Sequence, residues 1–159
     1  PDWSRGLGDV YKRQDLIYFV EDDYLHQKHA ISEMVFTYER LASQINKDLI
    51  LCPTDYPYLY AKADVTQNFL GHNYHWRKVN ETLCTFLTSK NIIEKYWDQY
   101  ISMCKKEHAP FEKPLHRIYE KELCISPIPS LAIHFTNINS IFGLSPNVDW
   151  EKIWEENNQ

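Results

Sequence analysis

Hydrophobic and polar positions follow two different periods along the chain, and each change of period predicts an element. The apolar residues 16–20 are rich in aromatic and β-branched side chains and are flanked by charge, which predicts a buried strand. Over residues 30–45, apolar side chains recur every three or four positions and predict an amphipathic helix. Residues 48–53 predict a second buried strand that ends at a proline. Together they predict a right-handed βαβ unit with a parallel pair of strands.

The rest of the chain predicts further strands and helices around the same sheet. A long loop is predicted over residues 53–71, because this segment has no helical period. The remaining predictions are a hairpin of residues 74–79 and 82–87 with its turn at Asn80 and Glu81, a helix from the cap Ser89 to Cys104, a helix from Pro114 to about Leu123, a strand at 124–126 and a short helix at 149–154. The predicted class is α/β, with a mixed sheet flanked by helices.

Composition narrows the classes of function. With 159 residues, of which 43% are hydrophobic, the chain is long enough for one sizeable core. The net charge of -5 and the lack of a basic stripe argue against a nucleic-acid partner. No apolar run approaches the roughly 20 residues of a transmembrane helix, so we expect a cytoplasmic protein, with peripheral attachment to a membrane left open. The four cysteines are widely spaced in apolar contexts, which predicts buried free thiols.

The first fourteen residues differ in character from the rest. They hold two of the four glycines and share no period with residues 15–159. We expect residues 1–14 to be a non-native leader and residues 15–159 to be the domain, with the natural protein extending further upstream.

The tripeptide Glu21-Asp22-Asp23 is the most informative polar motif. Three carboxylates at the exit of a strand repel one another unless a cation or solvent relieves them. Hard oxygen ligands suit Mg²⁺ or Mn²⁺, and an imidazole such as that of His134 favours Mn²⁺. Two alternatives stay open: a solvated acidic turn that leads into a helix, and a core histidine at position 134.

Five features follow one another along the chain: the acidic motif, the βαβ unit, the strand His75-Trp76-Arg77, an acidic residue that opens a helix, and the segment from Pro127 to His134. Their order resembles that of bacterial and viral glycosyltransferases of the GT-A type, of the family-2 kind. The resemblance covers about residues 15–154. It implies a GT-A-like mixed sheet that lacks its N-terminal nucleotide-binding strands. It also implies a metal-dependent enzyme that moves a sugar, with inversion, from a nucleoside-diphosphate sugar to a hydroxyl of a saccharide or lipid-linked acceptor.

The resemblance also implies roles for particular residues. Asp23 is the expected metal ligand, and His134 is the third protein contact of the Mn²⁺ or Mg²⁺. Because alternate residues of an extended segment point the same way, Glu21 is expected to face the cation with Asp23, while Asp22 points to the donor. Glu112 matches the position of the catalytic base at a helix start, although this chain has Phe-Glu-Lys where the family has an acidic pair. A favourable interaction of Glu112 with the helix dipole is the alternative.

Trp76 and Arg77 are candidates for the wall of the substrate site. An indole ring could stack on a sugar and a guanidinium could bind phosphate, while ordinary packing is the alternative. Two other functions stay open. A metal-dependent phosphohydrolase or nuclease would require further acidic ligands, for which Asp55 is the candidate. A non-catalytic interaction module would be favoured if Asp23 and His134 lay far apart. The sequence does not define the donor, the acceptor or the oligomeric state.

Overall fold

The computed structural model describes residues 15–104, 112–136 and 138–158, so the predicted leader at 1–14 lies outside the described residues. The strands are β1 (Leu16–Phe19), β2 (Tyr24–His26), β3 (Leu49–Leu51), β4 (Asn68–Leu70), β5 (His75–Lys78), β6 (Phe86–Ser89), β7 (Leu123–Ile128) and β8 (Ala132–His134). The helices are α1 (Ala30–Ile45), α2 (Lys90–Lys95), α3 (Trp97–Met103), α4 (Lys113–Tyr119) and α5 (Trp150–Asn157), with a 3₁₀ turn at Pro57–Tyr60. The α/β prediction, with a mixed sheet flanked by helices, is confirmed.

Six strands form one sheet in the order β1-β6-β3-β7-β5-β4. Strand β6 is antiparallel to both of its neighbours, so β1 and β3 run in the same direction on either side of it. The predicted adjacent parallel pair of β1 and β3 is therefore wrong, because β6 lies between them. The parallel neighbour of β3 is β7.

The predicted hairpin between β5 and β6 is also wrong. Strand β5 pairs with β4 on one side and with β7 on the other, while β6 crosses to the far side of β3. All four residues of β6 are buried, as expected of a strand between two others. Alternation along a strand defines its two faces but does not name its neighbours, which is why the sequence did not exclude the hairpin.

Helices cover both faces of the sheet. In β3, Leu49 and Leu51 join the core beneath α1, and Ile50 joins the core beneath α2–α4. Strands β6 and β7 divide in the same way. Because successive side chains of a strand point to opposite faces, a strand with apolar residues on both faces is suited to a position between two helical layers.

The helix ends reflect local chemistry, with two departures from prediction. Ser89 caps α2 by accepting a hydrogen bond from the Ile92 N–H at 3.2 Å, as predicted. The single helix predicted up to Cys104 is broken at Tyr96, whose hydroxyl donates to Glu122 at 2.6 Å and whose backbone leaves helical geometry. Helix α4 ends at Tyr119 because Leu123 already belongs to β7. None of the described helices has the length and apolar character that crossing a membrane requires.

Candidate functional site

The carboxyl ends of β1, β3 and β7 share one edge of the sheet, because these three strands run in the same direction. The acidic motif connects β1 to β2 at this edge, and Thr85, just before the oppositely directed β6, meets it there. The Thr85 hydroxyl accepts a hydrogen bond from the Glu21 N–H at 2.9 Å. Open α/β sheets bind ligands at such carboxyl edges, so the acidic motif lies where this class of fold places its ligand sites.

A second, two-stranded sheet brings the distant histidine to the motif. Strands β2 and β8 are antiparallel, with Tyr24 opposite His134, and the Phe135 N–H donates to the Asp23 carbonyl at 2.7 Å. As a result, His134 Nε2 lies 2.9 Å from Asp23 Oδ2, although 111 positions separate the two residues. The predicted meeting of Asp23 and His134 is confirmed.

Hydrogen bonding shows that one nitrogen of the His134 ring carries a hydrogen. Its Nδ1 lies 2.8 Å from the carbonyl oxygen of Phe142, which can only accept, so Nδ1 carries a hydrogen. In neutral imidazole the lone pair is then on Nε2, facing the Asp23 carboxylate. Two arrangements relieve this contact: an imidazolium that donates to Asp23, or a divalent cation shared by both groups. An Nδ1–H held by a backbone carbonyl is the usual support of a metal-binding histidine.

Aromatic side chains fix the position of His134. The Tyr24 ring stacks on the imidazole with centroids 4.9 Å apart, and the Tyr24 hydroxyl is 2.6 Å from that of Tyr56. The Tyr56 ring in turn packs edge-on against Phe142, whose carbonyl accepts from His134. The imidazole is thus held from its face and from its Nδ1 side, which leaves Nε2 directed at Asp23.

Glu21 does not share the partners of Asp23. Residues 22 and 23 form a turn, so the alternation expected of an extended segment does not hold. The Glu21 carboxylate lies 3.4 Å from the Thr85 hydroxyl. Burial first, and then the charge of Asp23, raises the pKa of Glu21 above its ordinary value, while His134 and hydrogen bonds from Cys84 and Thr85 act in the opposite direction. Asp22 is exposed to solvent.

The groups around Asp23 fit a divalent cation only in part. Within residues 15–104, 112–136 and 138–158, no group of three or more His, Cys, Asp or Glu side chains is arranged to hold a metal. The pair Asp23 and His134 retains acceptor capacity, since Asp23 Oδ1 is enclosed without a hydrogen-bond partner among the described residues. Mg²⁺ commonly binds through one or two carboxylates with water and substrate phosphates completing its shell. Asp23 and His134 could therefore hold a divalent cation only if ligands from outside the chain complete its shell, because the described residues do not form a full set of protein ligands.

Glu112 lies at the start of α4, as predicted, and its side chain does not cap the helix. Burial first, and then the charges of Glu21, Glu112 and Cys104, raises the pKa of the Cys84 thiol to about 12. Glu112 and Glu21 therefore both lie close enough to Cys84 for their charges to act on its thiol. The prediction of buried thiols holds for Cys52 and Cys124, but Cys104 is exposed.

Trp76 is not part of a substrate wall, and this prediction is wrong. The residue is 0% exposed and belongs to the core beneath α1, where its ring packs in contact range of Gly71. A ring without an exposed face offers no surface for a sugar. The sequence pattern of β5 is compatible with Trp76 either at a binding surface or in the core. In the structure, Trp76 packs in the core between the sheet and α1.

Arg77 forms an ion pair with Asp55, whose side chain is 1% exposed. The Tyr60 hydroxyl donates to the same carboxylate, and the guanidinium lies 4.7 Å from the centroid of the Tyr60 ring. The contacts described for Arg77 thus lead to Asp55 and Tyr60 and do not reach Asp23 or His134. Phosphate binding by Arg77 stays a prediction.

Two cavities lie away from the Asp23–His134 pair. The larger, about 880 Å³, opens at the opposite edge of the sheet, where its lining includes Lys47, Asp48 and Glu122. The smaller, about 370 Å³, is lined by Tyr58, Arg77 and residues near them. Neither of these two cavities is lined by Asp23 or His134, so the candidate site rests on the chemistry of the pair.

Sequence reasoning missed the supporting residues Tyr24, Thr85 and Phe142. The alternation of Tyr24-Leu25-His26 after the acidic motif was a signal for β2, but a strand of three residues is too short to stand out. Comparison of the chain with protein-family models, with curated proteins and with solved structures gives no match.

Proposed function

We propose that the protein is a metal-dependent glycosyltransferase of the GT-A type, which transfers a sugar from a nucleoside-diphosphate sugar to an acceptor hydroxyl. The observation that carries the proposal is the contact of 2.9 Å between His134 Nε2 and Asp23 Oδ2, with Nδ1 committed to a backbone carbonyl. The position of this pair at the carboxyl edge of a mixed sheet supports the same assignment.

Asp23 and His134 would hold Mn²⁺ or Mg²⁺, with Glu21 contributing negative charge nearby. When bound, the cation supplies Lewis-acid stabilisation of the charge that develops on the departing diphosphate. The chain itself contributes orientation. Phe142 keeps the lone pair of His134 Nε2 on the Asp23 side, and the stacked Tyr24 ring prevents the imidazole from turning away.

Glu112 is proposed as the base that accepts the proton of the acceptor hydroxyl in an inverting transfer. Its carboxylate does not cap α4, and it shares the neighbourhood of Cys84 with Glu21. A base must come within hydrogen-bond reach of the hydroxyl it deprotonates, so the proposal requires the acceptor hydroxyl to bind within that reach of the Glu112 carboxylate.

The other two functions fit less well. A phosphohydrolase or nuclease would need Asp55 as a further ligand, but Asp55 is engaged by Arg77 and Tyr60. A large distance between Asp23 and His134 would favour an interaction module, whereas His134 Nε2 and Asp23 Oδ2 lie 2.9 Å apart.

The proposal is tested by thermal denaturation with Mn²⁺ and UDP or GDP. Mn²⁺ with a diphosphate is expected to raise Tm, because a ligand that binds only the folded state stabilises it. The increase should be lost in Asp23→Ala and in His134→Ala, and it should persist in the control His75→Ala, which changes an exposed histidine. Transfer from a panel of nucleotide sugars, measured by release of the diphosphate, is the accompanying assay.

If Asp23 and His134 form only a salt bridge and bind no metal, the denaturation experiment should give a different result. Asp23→Ala would then lower Tm equally with and without Mn²⁺, and neither UDP nor GDP would shift the wild-type transition. That outcome would contradict the proposed metal site.

A further inference from the structure

Three aromatic side chains form an exposed cluster next to the Asp23–His134 pair. The Phe135 ring lies edge-to-face with Trp150 and with Trp154, at centroid distances of 6.3 Å and 6.1 Å. The three are 38%, 40% and 53% exposed, in the order Phe135, Trp150, Trp154. We call these residues the aromatic trio.

The backbone places the trio beside the candidate site. Phe135 comes directly after His134, and its N–H donates to the Asp23 carbonyl at 2.7 Å. Helix α5 is attached to the same small sheet, since the Asn157 side-chain amide donates to the His26 carbonyl at 2.9 Å. The trio and the Asp23–His134 pair therefore sit on one β2–β8 framework.

Helix α5 has anchoring residues besides its tryptophans. Ile153 is the buried residue of the helix, and Asp149 caps its start by accepting from the Lys152 N–H at 3.0 Å. Trp150 and Trp154, four positions apart, lie on neighbouring turns and leave much of their surface in water. Exposed aromatic clusters of this kind mark binding surfaces more often than isolated exposed residues do.

The rim of the trio indicates the chemistry of its ligand. Next to the tryptophans, α5 exposes two carboxylates, Glu151 and Glu155, whereas the charge of Lys152 is balanced by the half-buried Glu156, whose Oε1 lies 3.9 Å from Lys152 Nζ. An acidic rim repels anionic lipid headgroups and nucleic acid. Carboxylates accept hydrogen bonds from hydroxyl groups, and the negative face of an aromatic ring attracts the C–H groups of a sugar ring. A neutral saccharide satisfies both features.

We propose that the aromatic trio is a saccharide-binding subsite that holds the acceptor sugar beside the Asp23–His134 pair. The acceptor role rests on the proposed transferase function, whereas saccharide binding does not. The trio fixes the substrate class as a neutral sugar and excludes an anionic membrane surface as its ligand.

Binding is measured with neutral oligosaccharides of glucose, galactose, mannose and N-acetylglucosamine, by shifts of the tryptophan indole N–H signals in NMR spectra. At least one series is expected to bind in the millimolar range and to lose tenfold or more in affinity in Trp154→Ala. Trp154→Phe, which keeps an aromatic face, should recover part of the affinity. The matched control is Trp97→Ala on α3, because Trp97 is 55% exposed and Trp154 is 53% exposed.

Four outcomes would overturn the subsite: no binding of any series by the wild-type chain, equal loss in Trp97→Ala, cosedimentation with anionic phospholipid vesicles that depends on Trp154, or a dimer that Trp154→Ala dissociates.

Asp23→Ala separates the saccharide subsite from the proposed transferase function. If this variant keeps saccharide binding while the wild-type chain fails to bind Mn²⁺ with UDP or GDP, the subsite stands and the transferase function falls.

Discussion

At the scale of single residues, burial and the charge of Asp23 disfavour the ionised form of Glu21 in the acidic motif. Glu21 is partly buried beside Asp23, and its raised pKa means that the folded protein binds the proton of Glu21 more tightly than the unfolded chain does. The stabilisation from protonated Glu21 is fully present below the ordinary glutamate pKa of about 4.3 and is lost as pH rises through the folded value. At neutral pH the ionised Glu21 therefore lowers the free energy of unfolding.

Replacing Glu21 by Gln should accordingly stabilise the protein. We expect Glu21→Gln to raise Tm at pH 7.5 by on the order of a degree or more, because the neutral amide loses the desolvation cost and the repulsion from Asp23. The difference from wild type should shrink as pH approaches 4, where Glu21 itself becomes protonated. Differential scanning calorimetry across this pH range measures both effects.

Asp22→Asn is the matched control, since Asp22 belongs to the same motif but is exposed. It should change Tm less than Glu21→Gln. A lower Tm for Glu21→Gln at neutral pH would mean that the hydrogen bonds from Thr85 and Cys84 to the charged carboxylate outweigh its burial.

At the scale of elements, the β4–β5 turn is attached to α1 by buried polar groups. Glu33, 2% exposed, accepts from the Asn73 N–H at 3.0 Å and from the Thr37 hydroxyl at 3.0 Å. Gly71 lies between this network and the Trp76 ring, and a Cβ on it would overlap Trp76 and come within 2.7 Å of Thr37 Oγ1. The turn requires glycine at position 71 because there is no room for a side chain there.

Gly71→Ala should therefore lower the free energy of unfolding by about 1–3 kcal/mol, the usual cost of overpacking. Urea denaturation measures the change. Combining Gly71→Ala with Trp76→Phe, which removes Nε1, the ring atom nearest the new methyl group, should cost less than the two single changes added together. Strict additivity would contradict the proposed overlap.

The elements differ in how well the sequence predicts them. Helix α1 and the cap Ser89 arise from local periodicity and side-chain hydrogen bonding, so both could be predicted. At the break between α2 and α3, the Tyr96 hydroxyl donates to Glu122, which lies 26 positions away and carries no local signal. Similarly, β6 lies between β1 and β3 because it pairs with strands that are distant in sequence. Residues 82–87 carry no local signal for that pairing.

At the scale of the whole molecule, stability should be highest in the middle of the sheet. Strand β3 is paired on both sides, and its three residues are 0% exposed. Strand β4 pairs only with β5 among the described residues, and Leu70 is 61% exposed. Native-state hydrogen exchange should give amides of β3 protection at least about tenfold greater than amides of β4. Equal protection would indicate that the sheet opens as one unit.

The candidate site was predictable only in part, because its residues come from distant parts of the chain. The order of motifs led to Asp23 and His134, and their contact was inferred correctly. Thr85, Phe142 and Tyr24, which orient the carboxylates and the imidazole, have no motif of their own. Trp76 was misassigned because an aromatic residue on a strand fits a core as well as a surface, and only packing distinguishes the two.

The register of β2 with β8 has a consequence for how the protein matures. Since Tyr24 faces His134 across two short strands, residues near the start of the described chain acquire their chemical partner only after the last third of the chain has been synthesised and has docked. A folding intermediate without β8 would retain most of the six-stranded sheet and yet have no imidazole beside Asp23. The proposed cation site would then form late in refolding, after most of the secondary structure.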